Sequence, residues 1–434
     1  MTCIIFKIFS ISFFLTLVHC KPPVCNITSV GYEGLNFIEH KKTMRIQIVH
    51  QKSPFEQQIN SPLHKHGVLM DWNKKPTPKP RTNDTIRLYR FLDHEFYGKI
   101  VIGHPGQSMN VALDTTWIYT WVISSRCHIV DTIGCWMHNQ YNHDKSSGYK
   151  PDGRRFSVDA DGYNLTGFYS YDNISITHSN VTNFSFIEMT QLPKSFLFNK
   201  ADGVLGLGRD VGSGYKPFFN TLLLQKKIVE PIFSVYINRN YQSNAGGEIT
   251  LGFADGHHIK AEYINGEYHC DKVVFLRVDP LPYWQFMVDK ILLVENPTKK
   301  TTYCQQRFPD HSIGCKAIID TSSSTIVGPS KEINDIHSRI GATKLIMGRY
   351  SVECDKVDQL PHLDFIIAGK TFTLKGHSYV SKVTFKSLSI CLSALRPAES
   401  KEEEQRWVLG GAFLSEVYTI FNVEQNTIGL VRAA

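Results

Sequence analysis

The sequence predicts a mainly β protein built from two similar lobes. Three observations carry that prediction. Short strand-like runs such as "KIVIGHPGQSMNVALD", "FSVDADGYNLTGFYSYDNISI", "GEITLGF" and "LDFIIAGKTFTL" alternate with Gly, Asn and Asp turns. Helical signals are few, the best being "PSKEINDIHSRIG" at 329–341, with Ser330 as its N-cap and Gly341 at its end. Finally, one pattern occurs twice at domain scale. Asp114 is followed 92 residues later by Gly206 in "DGVLGLG", and Asp320 is followed 90 residues later by Gly410 in "WVLGGAF". A chain of 434 residues is long enough for two such units.

Taken in order, residues 1–20 read as a secretory signal. Lys7 precedes a short apolar core, and Val18 and Cys20 occupy the −3 and −1 positions of a cleavage site. The core is too short for a membrane span, and no later segment is apolar for 18 residues. No membrane association is therefore expected once the signal is removed. Residues 21–84 form a leader with ten Lys/Arg and five Asp/Glu, ending in the proline-rich stretch "KKPTPKPRTND". The net charge of +7 resides mostly there, leaving the remainder nearly neutral. That distribution argues against a nucleic-acid footprint and suits a removable segment lying over an acidic cleft.

Cysteines and sequons point to the same route. Cys127/Cys135, Cys304/Cys315 and Cys354/Cys391 are each close in sequence and are expected to form disulfides in an oxidising compartment. The spacing Cys127-x7-Cys135-x2-His138 does not match a zinc site, so neither metal nor other cofactor is expected. Cys25 and Cys270 are left over, either free or paired across the leader. Glycosylation sequons stand at Asn26, Asn83, Asn164, Asn173, Asn180 and Asn183.

The repeated motif is an apolar run ending in Asp-Thr: "ALDTTWIYTW" at 112–121 and "AIIDTSSST" at 317–325. Around it the chain resembles the pepsin-type aspartic proteases (peptidase family A1), and within them the cathepsin D group. The segments carrying the resemblance are "CHIVDTIGCWMHNQYNHDKSSGY" (127–149), "AIIDTSSSTIVGP" (317–329), "QLPHLDFIIAGKTFTL" (359–374) and "WVLGGAFLSEVYTIFN" (407–422). "MRIQIVHQKS" (44–53) is similar to the start of that family's inhibitory prosegment. The resemblance implies two β-barrel-like lobes related by a pseudo-dyad, with a cleft between them and one aspartate from each. The expected organisation is a signal at 1–20, a prosegment at 21–84, an N-terminal lobe at 85–265 with Asp114 and a C-terminal lobe at 266–434 with Asp320. The implied partners are peptides with large apolar side chains and the chain's own prosegment, and a monomer secreted outside the cell or sent to lysosomes is expected.

The implied chemistry is metal-free peptide hydrolysis at acid pH. One ionised carboxylate deprotonates a water while the other, protonated, polarises the scissile carbonyl. Like charges held close cannot both ionise, so such a pair shares a proton, aspartic-protease dyads being the standard example. By resemblance Asp114 and Asp320 are the dyad, and Thr115 and Thr321 are the hydroxyls that hold the two loops together. Trp121, Phe196 and Tyr283 correspond to cleft positions.

Several positions depart from the family pattern. Thr116 and Ser322 stand where a glycine follows each Asp-Thr pair, and Trp117 replaces the serine that hydrogen-bonds the first aspartate. Ser323 and Ser324 keep hydroxyls in the second loop, so damage is expected on the Asp114 side. In the flap, Ala160 stands where a tyrosine closes over substrate; Tyr163 is three residues on, an offset that changes face along a strand. A glycan on Asn164 would crowd the cleft. Gly411 takes the place of a common aspartate. Misplacing catalytic groups by about 1 Å can cost ~10²-fold, and losing a preorganised donor ~10²–10³-fold. Two readings therefore stay open: an acid endopeptidase made as a zymogen, weakened or inactivated, and a pseudoprotease that binds peptides or other ligands.

Overall fold

The computed structural model describes residues 95–434 apart from short stretches at 128–132, 161–162, 178, 194–195, 198, 229, 239–245, 265–266, 346–347 and 386–387. It also describes Cys25 and the backbone of Thr2–Ile5, Thr16–His19, Met44–Val49 and Thr85–Phe91. The protein is mainly β, as the alternation of short apolar runs and turns predicts.

In the N-terminal part, strand Glu95–Ile102 pairs antiparallel with Gln107–Asp114, whose last four residues are buried. Strand Gly203–Gly206 runs parallel to Gln107–Asp114, with Gly206 opposite Asp114, and antiparallel to Trp121–Ile123. The chain between Asp114 and Trp121 must therefore loop across the end of Gly203–Gly206. Only glycine fits there, because a Cβ on Gly206 would lie 2.6 Å from the carbonyl oxygens of Ile118 and Tyr119.

The C-terminal part repeats the arrangement. Ile313–Ile319 runs parallel to Arg406–Leu409, which pairs antiparallel with Ile326–Gly328. A Cβ on Gly410 would meet the carbonyl oxygens of Thr325 and Ser323 at 2.3 and 2.6 Å. The two spaced Asp…Gly patterns are thus the two halves of a structural repeat.

Strands Ile232–Ile237, Gly247–Leu251, Val417–Asn422 and Thr427–Arg432 lie in one continuous sheet with the N-terminal strands. The leader strand Met44–Val49 is inserted in it, antiparallel to Gly247–Leu251 and parallel to Thr85–Phe91. The main core runs through both halves, with Phe96, Phe233, Trp284, Phe421 and Trp407 among its buried side chains.

All three expected disulfides are present, Cys127–Cys135, Cys304–Cys315 and Cys354–Cys391. The open alternative resolves to pairing: Cys25 is bonded to Cys270 across 245 residues. The best helical signal forms a helix, Ser330–Arg339, but its cap differs from expectation. Pro329 is the N-cap, while Ser330 is already helical and its hydroxyl donates to the Ala398 carbonyl at 3.0 Å. Gly341, at φ +68°, follows the helix as read. Among the described residues no helix is long and apolar enough to cross a membrane.

Candidate functional site

Two loops meet where the parallel strand pairs end. Leu207 N–H donates to the Asp114 carbonyl (2.7 Å), and Asp320 N–H donates to the Leu409 carbonyl (3.1 Å), so each aspartate is anchored to its own half. Thr115 and Thr321 then cross between the halves. Thr115 Oγ1 donates to the Ile319 carbonyl at 2.7 Å, and Thr321 Oγ1 donates to the Leu113 carbonyl at 2.6 Å. Each hydroxyl also accepts the other threonine's N–H, at 3.2 and 3.3 Å. Both threonines are fully buried, so this reciprocal set is protected from water and fixes the loops against each other.

The carboxylates are held by their own loops. Thr116 donates to Asp114 Oδ1 through its backbone N–H (2.7 Å) and its hydroxyl (2.6 Å). Ser322 does the same to Asp320 Oδ1, at 2.9 and 2.7 Å, and Ser323 N–H adds a third donor at 3.1 Å. This corrects two expectations. Thr116 is not simply damage, because its hydroxyl supplies a donor that Trp117 cannot. In the second loop the supporting hydroxyl is that of Ser322; the Ser323 hydroxyl pairs with Thr325 Oγ1 at 3.0 Å. The signal available in the sequence was a hydroxyl residue at the same position of both loops, and reasoning from lost glycine alone passes over it.

Burial and the neighbouring Asp320 charge raise the Asp114 carboxyl to about pH 7, the Thr116 donors opposing the shift. Asp320 is also raised by burial, against the Ser322 and Ser323 donors. Two backbone N–H donors on Asp320, from Ser322 and Ser323, against one on Asp114, from Thr116, favour ionisation of Asp320 first, leaving the pair's proton on Asp114.

The other expected residues have packing partners of their own. Trp117 is half-buried and packs against the cluster of Trp121, Phe156 and Leu165. Trp121 is itself only 4 % exposed, with its ring 5.4 Å from Phe196. Phe196 and Tyr283 are half-buried, and the Arg406 guanidinium lies over the Tyr283 ring at 4.5 Å. The flap segment is a hairpin, Lys150–Ala160 and Tyr163–Ile176, and Ala160 is the direct partner of Tyr163 across its tip.

Gly411 also has a cause the sequence did not reveal: a Cβ there would lie 2.7 Å from the Phe96 ring. Arg209 likewise links the halves through Asn426 Oδ1 (2.6 Å) and the Leu281 carbonyl (3.0 Å).

Of the sequons, Asn164 pairs with Asp159 near the flap tip, Asn173 is half-buried, and Asn180 and Asn183 are exposed. Asn26 and Asn83 lie outside the described residues. A cavity of about 410 Å³ opens in the same half between Tyr119, Arg154, Tyr169, Asn183 and Tyr215. Its cations are already paired, Arg154 with Asp152 at 2.7 Å and Lys216 with Asp210 at 2.6 Å. Among the described residues, Glu248, Asp255 and His258 bring possible metal-ligating atoms within 4.8 Å of one another. Yet His258 Nε2 is hydrogen-bonded to Glu248 Oε1 at 2.6 Å and its ring stacks on Tyr236, a satisfied pairing without an ion.

Comparison with known proteins agrees with this geometry. The family described as eukaryotic aspartyl protease matches residues 95–433. Cathepsin D of Rattus norvegicus is 34 % identical over 378 residues, covering 85 % of this chain and 88 % of that protein. Cathepsin D of Gallus gallus is 33 % identical over 362 residues, covering 82 % and 84 %. Cathepsin D of Homo sapiens is 32 % identical over 362 residues, covering 80 % and 82 %.

Proposed function

The chain belongs to the eukaryotic aspartyl protease family, and on that premise we propose that it hydrolyses peptide bonds at acid pH through Asp114 and Asp320, more slowly than an unaltered dyad would. The observation that carries this reading is the donor set: each carboxylate keeps a backbone N–H and a hydroxyl on Oδ1 although both loop glycines are replaced.

In the proposed mechanism Asp320, with two backbone N–H donors, is the ionised base. It takes a proton from a water held between the carboxylates, and the water oxygen adds to the scissile carbonyl. Asp114 gives its proton to the carbonyl oxygen, forming a neutral diol. Collapse of the diol returns a proton to Asp114, and the leaving nitrogen takes the proton held by Asp320. The raised Asp114 keeps its proton up to near neutrality, which supports activity on the acid side.

Phe196 and Tyr283 support a preference for large apolar side chains. The signal at 1–20, the sequons and four disulfides support a monomeric glycoprotein of the secretory route, released outside the cell or held in lysosomes. The basic leader 21–84, with strand Met44–Val49 inserted in the sheet, supports synthesis as a zymogen.

Trp117 and Ala160 favour a second reading, a pseudoprotease that binds peptides in the same cleft. The deciding experiment takes the glycosylated precursor to about pH 4 and follows cleavage of an unfolded protein, with an Asp320→Asn precursor prepared in parallel. Hydrolysis that requires Asp320 and is blocked by a statine-type inhibitor supports the enzyme. Substrate left intact by precursor from which another protease has removed the leader overturns it in favour of ligand binding.

A further inference from the structure

We propose that the leader is a tethered inhibitor whose release takes two separate steps, one cut in the peptide chain and one in the Cys25–Cys270 disulfide. The proposal rests on the reading of 21–84 as a prosegment, but the covalent retention it describes does not depend on peptidase activity.

The anchor is built into the fold. Cys25 is 3 % exposed and packs with Ile232, Ile259, Tyr418 and Ile420. Its N–H donates to the Gly256 carbonyl at 3.4 Å, and its own carbonyl lies so close that a Cβ on Gly256 would sit 1.9 Å away. Glycine at 256 is the seat for the leader backbone. Its partner Cys270 ends the hairpin Ala261–Ile264 and Glu267–Cys270.

The same stretch of body chain that seats Cys25 also pairs with the leader strand. Gly247–Leu251 pairs residue by residue with Met44–Ile48, and Gly256 follows a few residues later. Only eighteen residues, 26–43, join the anchor to the strand. Tethering through so short a linker holds the displaced strand at an effective concentration on the order of millimolar beside its slot. Vacating the slot would leave the Gly247–Leu251 edge unpaired, which favours re-docking.

The first step is hydrolysis of a peptide bond between 50 and 84, water supplying the hydroxyl of the new carboxylate and the proton of the new amine. The piece bearing Cys25 and Met44–Val49 then remains attached through sulfur. The second step is thiol–disulfide exchange. Of the eight bridged cysteines only Cys270 is exposed, so a small-molecule thiolate is directed to its Sγ. The S–S bond breaks, Cys25 departs as thiolate and takes a proton, and a second thiol resolves the mixed disulfide on Cys270. Two electrons pass from two thiols, which end as one disulfide.

The test uses the full precursor and an added aspartate-specific protease, whose target residue occurs within 21–84 only at 71 and 84, so a silent dyad leaves the result readable. After limited cleavage, intact mass without thiol should show the leader piece still attached, and mild thiol should release it nearly completely. Amide exchange at neutral pH should find Gly247–Leu251 protected in the cut, tethered protein and at least ~10-fold less protected after thiol, the ratio corresponding to about 1.4 kcal/mol. Cys25→Ser protein, cut identically, should lose the piece and the protection without thiol, and Cys270→Ser serves the same purpose should the first variant fail to fold. A leader piece that separates from cut wild-type protein without thiol overturns the proposal. So does protection unchanged by loss of the bridge.

Discussion

Replacing Asp114 with asparagine will flatten a specific part of the protein's pH–stability curve. The Asp114 carboxyl is only 6 % exposed, and burial beside Asp320 moves it from 3.8 to about 7. Its folded value is therefore above its unfolded one, and the folded state binds more protons between about pH 4 and 7. Stability from this proton is fully present below about pH 4 and is lost as pH rises through about 7. A shift of about three pKa units corresponds to about 4 kcal/mol of stability lost across that window. Asparagine carries no charge to bury and can still accept from Thr116. Relative to wild type, the Asp114→Asn protein should be near parity at about pH 3 and more stable by about 4 kcal/mol at about pH 8. Asp320→Asn should give an intermediate slope, since it removes the neighbouring charge but leaves Asp114 buried. The assay is reversible urea unfolding of the oxidised precursor, followed by tryptophan fluorescence and extrapolated linearly. A wild-type-to-mutant difference that stays constant with pH would refute the reasoning, as would a mutant less stable than wild type at the alkaline end.

Three further substitutions separate the parts of the site. Thr116→Val keeps the N–H but removes the hydroxyl donor to Asp114, which favours the ionised form by about 1.5–3 kcal/mol; the pH midpoint seen in the unfolding series should move further upward. Thr321→Val deprives the buried Leu113 carbonyl of its 2.6 Å partner, at a cost of about 1–3 kcal/mol in urea unfolding and with the pH slope retained. Trp117→Ser adds a potential further donor near Asp114 and should raise peptide hydrolysis at about pH 4 by ~10²-fold, measured as kcat/KM on a chromogenic peptide.

Much of the fold was legible because it depends on repeated constraints. The two Asp…Gly spacings foretold a structural repeat, since Gly206 and Gly410 each accept a loop backbone that no side chain would tolerate. Three disulfides followed from closeness in sequence, whereas Cys25–Cys270 spans 245 residues and no local pattern could choose between pairing and free thiols. The helix at 330–339 was legible, its cap was not, because Ser330 finds a distant acceptor, Ala398, rather than its own helix. In the site the aspartates and threonines were readable from the motif. The roles of Thr116 and Ser322 depended on side-chain rotamers, and that of Gly411 on the ring of Phe96 arriving from a strand over 300 residues away.

The two loops show how one kind of substitution can preserve one property and disturb another. A hydroxyl two residues after each aspartate returns to that aspartate's Oδ1, so the carboxylates remain oriented without glycine. The symmetry then breaks at the next position. Ser323 adds its N–H to Asp320, whereas Trp117 turns to the aromatic cluster and its carbonyl accepts from Gly208 instead. Asp114 is therefore the more buried and the less supported carboxylate, and both factors push its proton the same way. In a shared-proton pair that imbalance assigns the acid and base roles, but holding the proton more tightly also makes Asp114 the weaker acid toward a substrate carbonyl. If hydrolysis here is as slow as proposed, the proton affinity of Asp114, rather than lost loop geometry, would account for it.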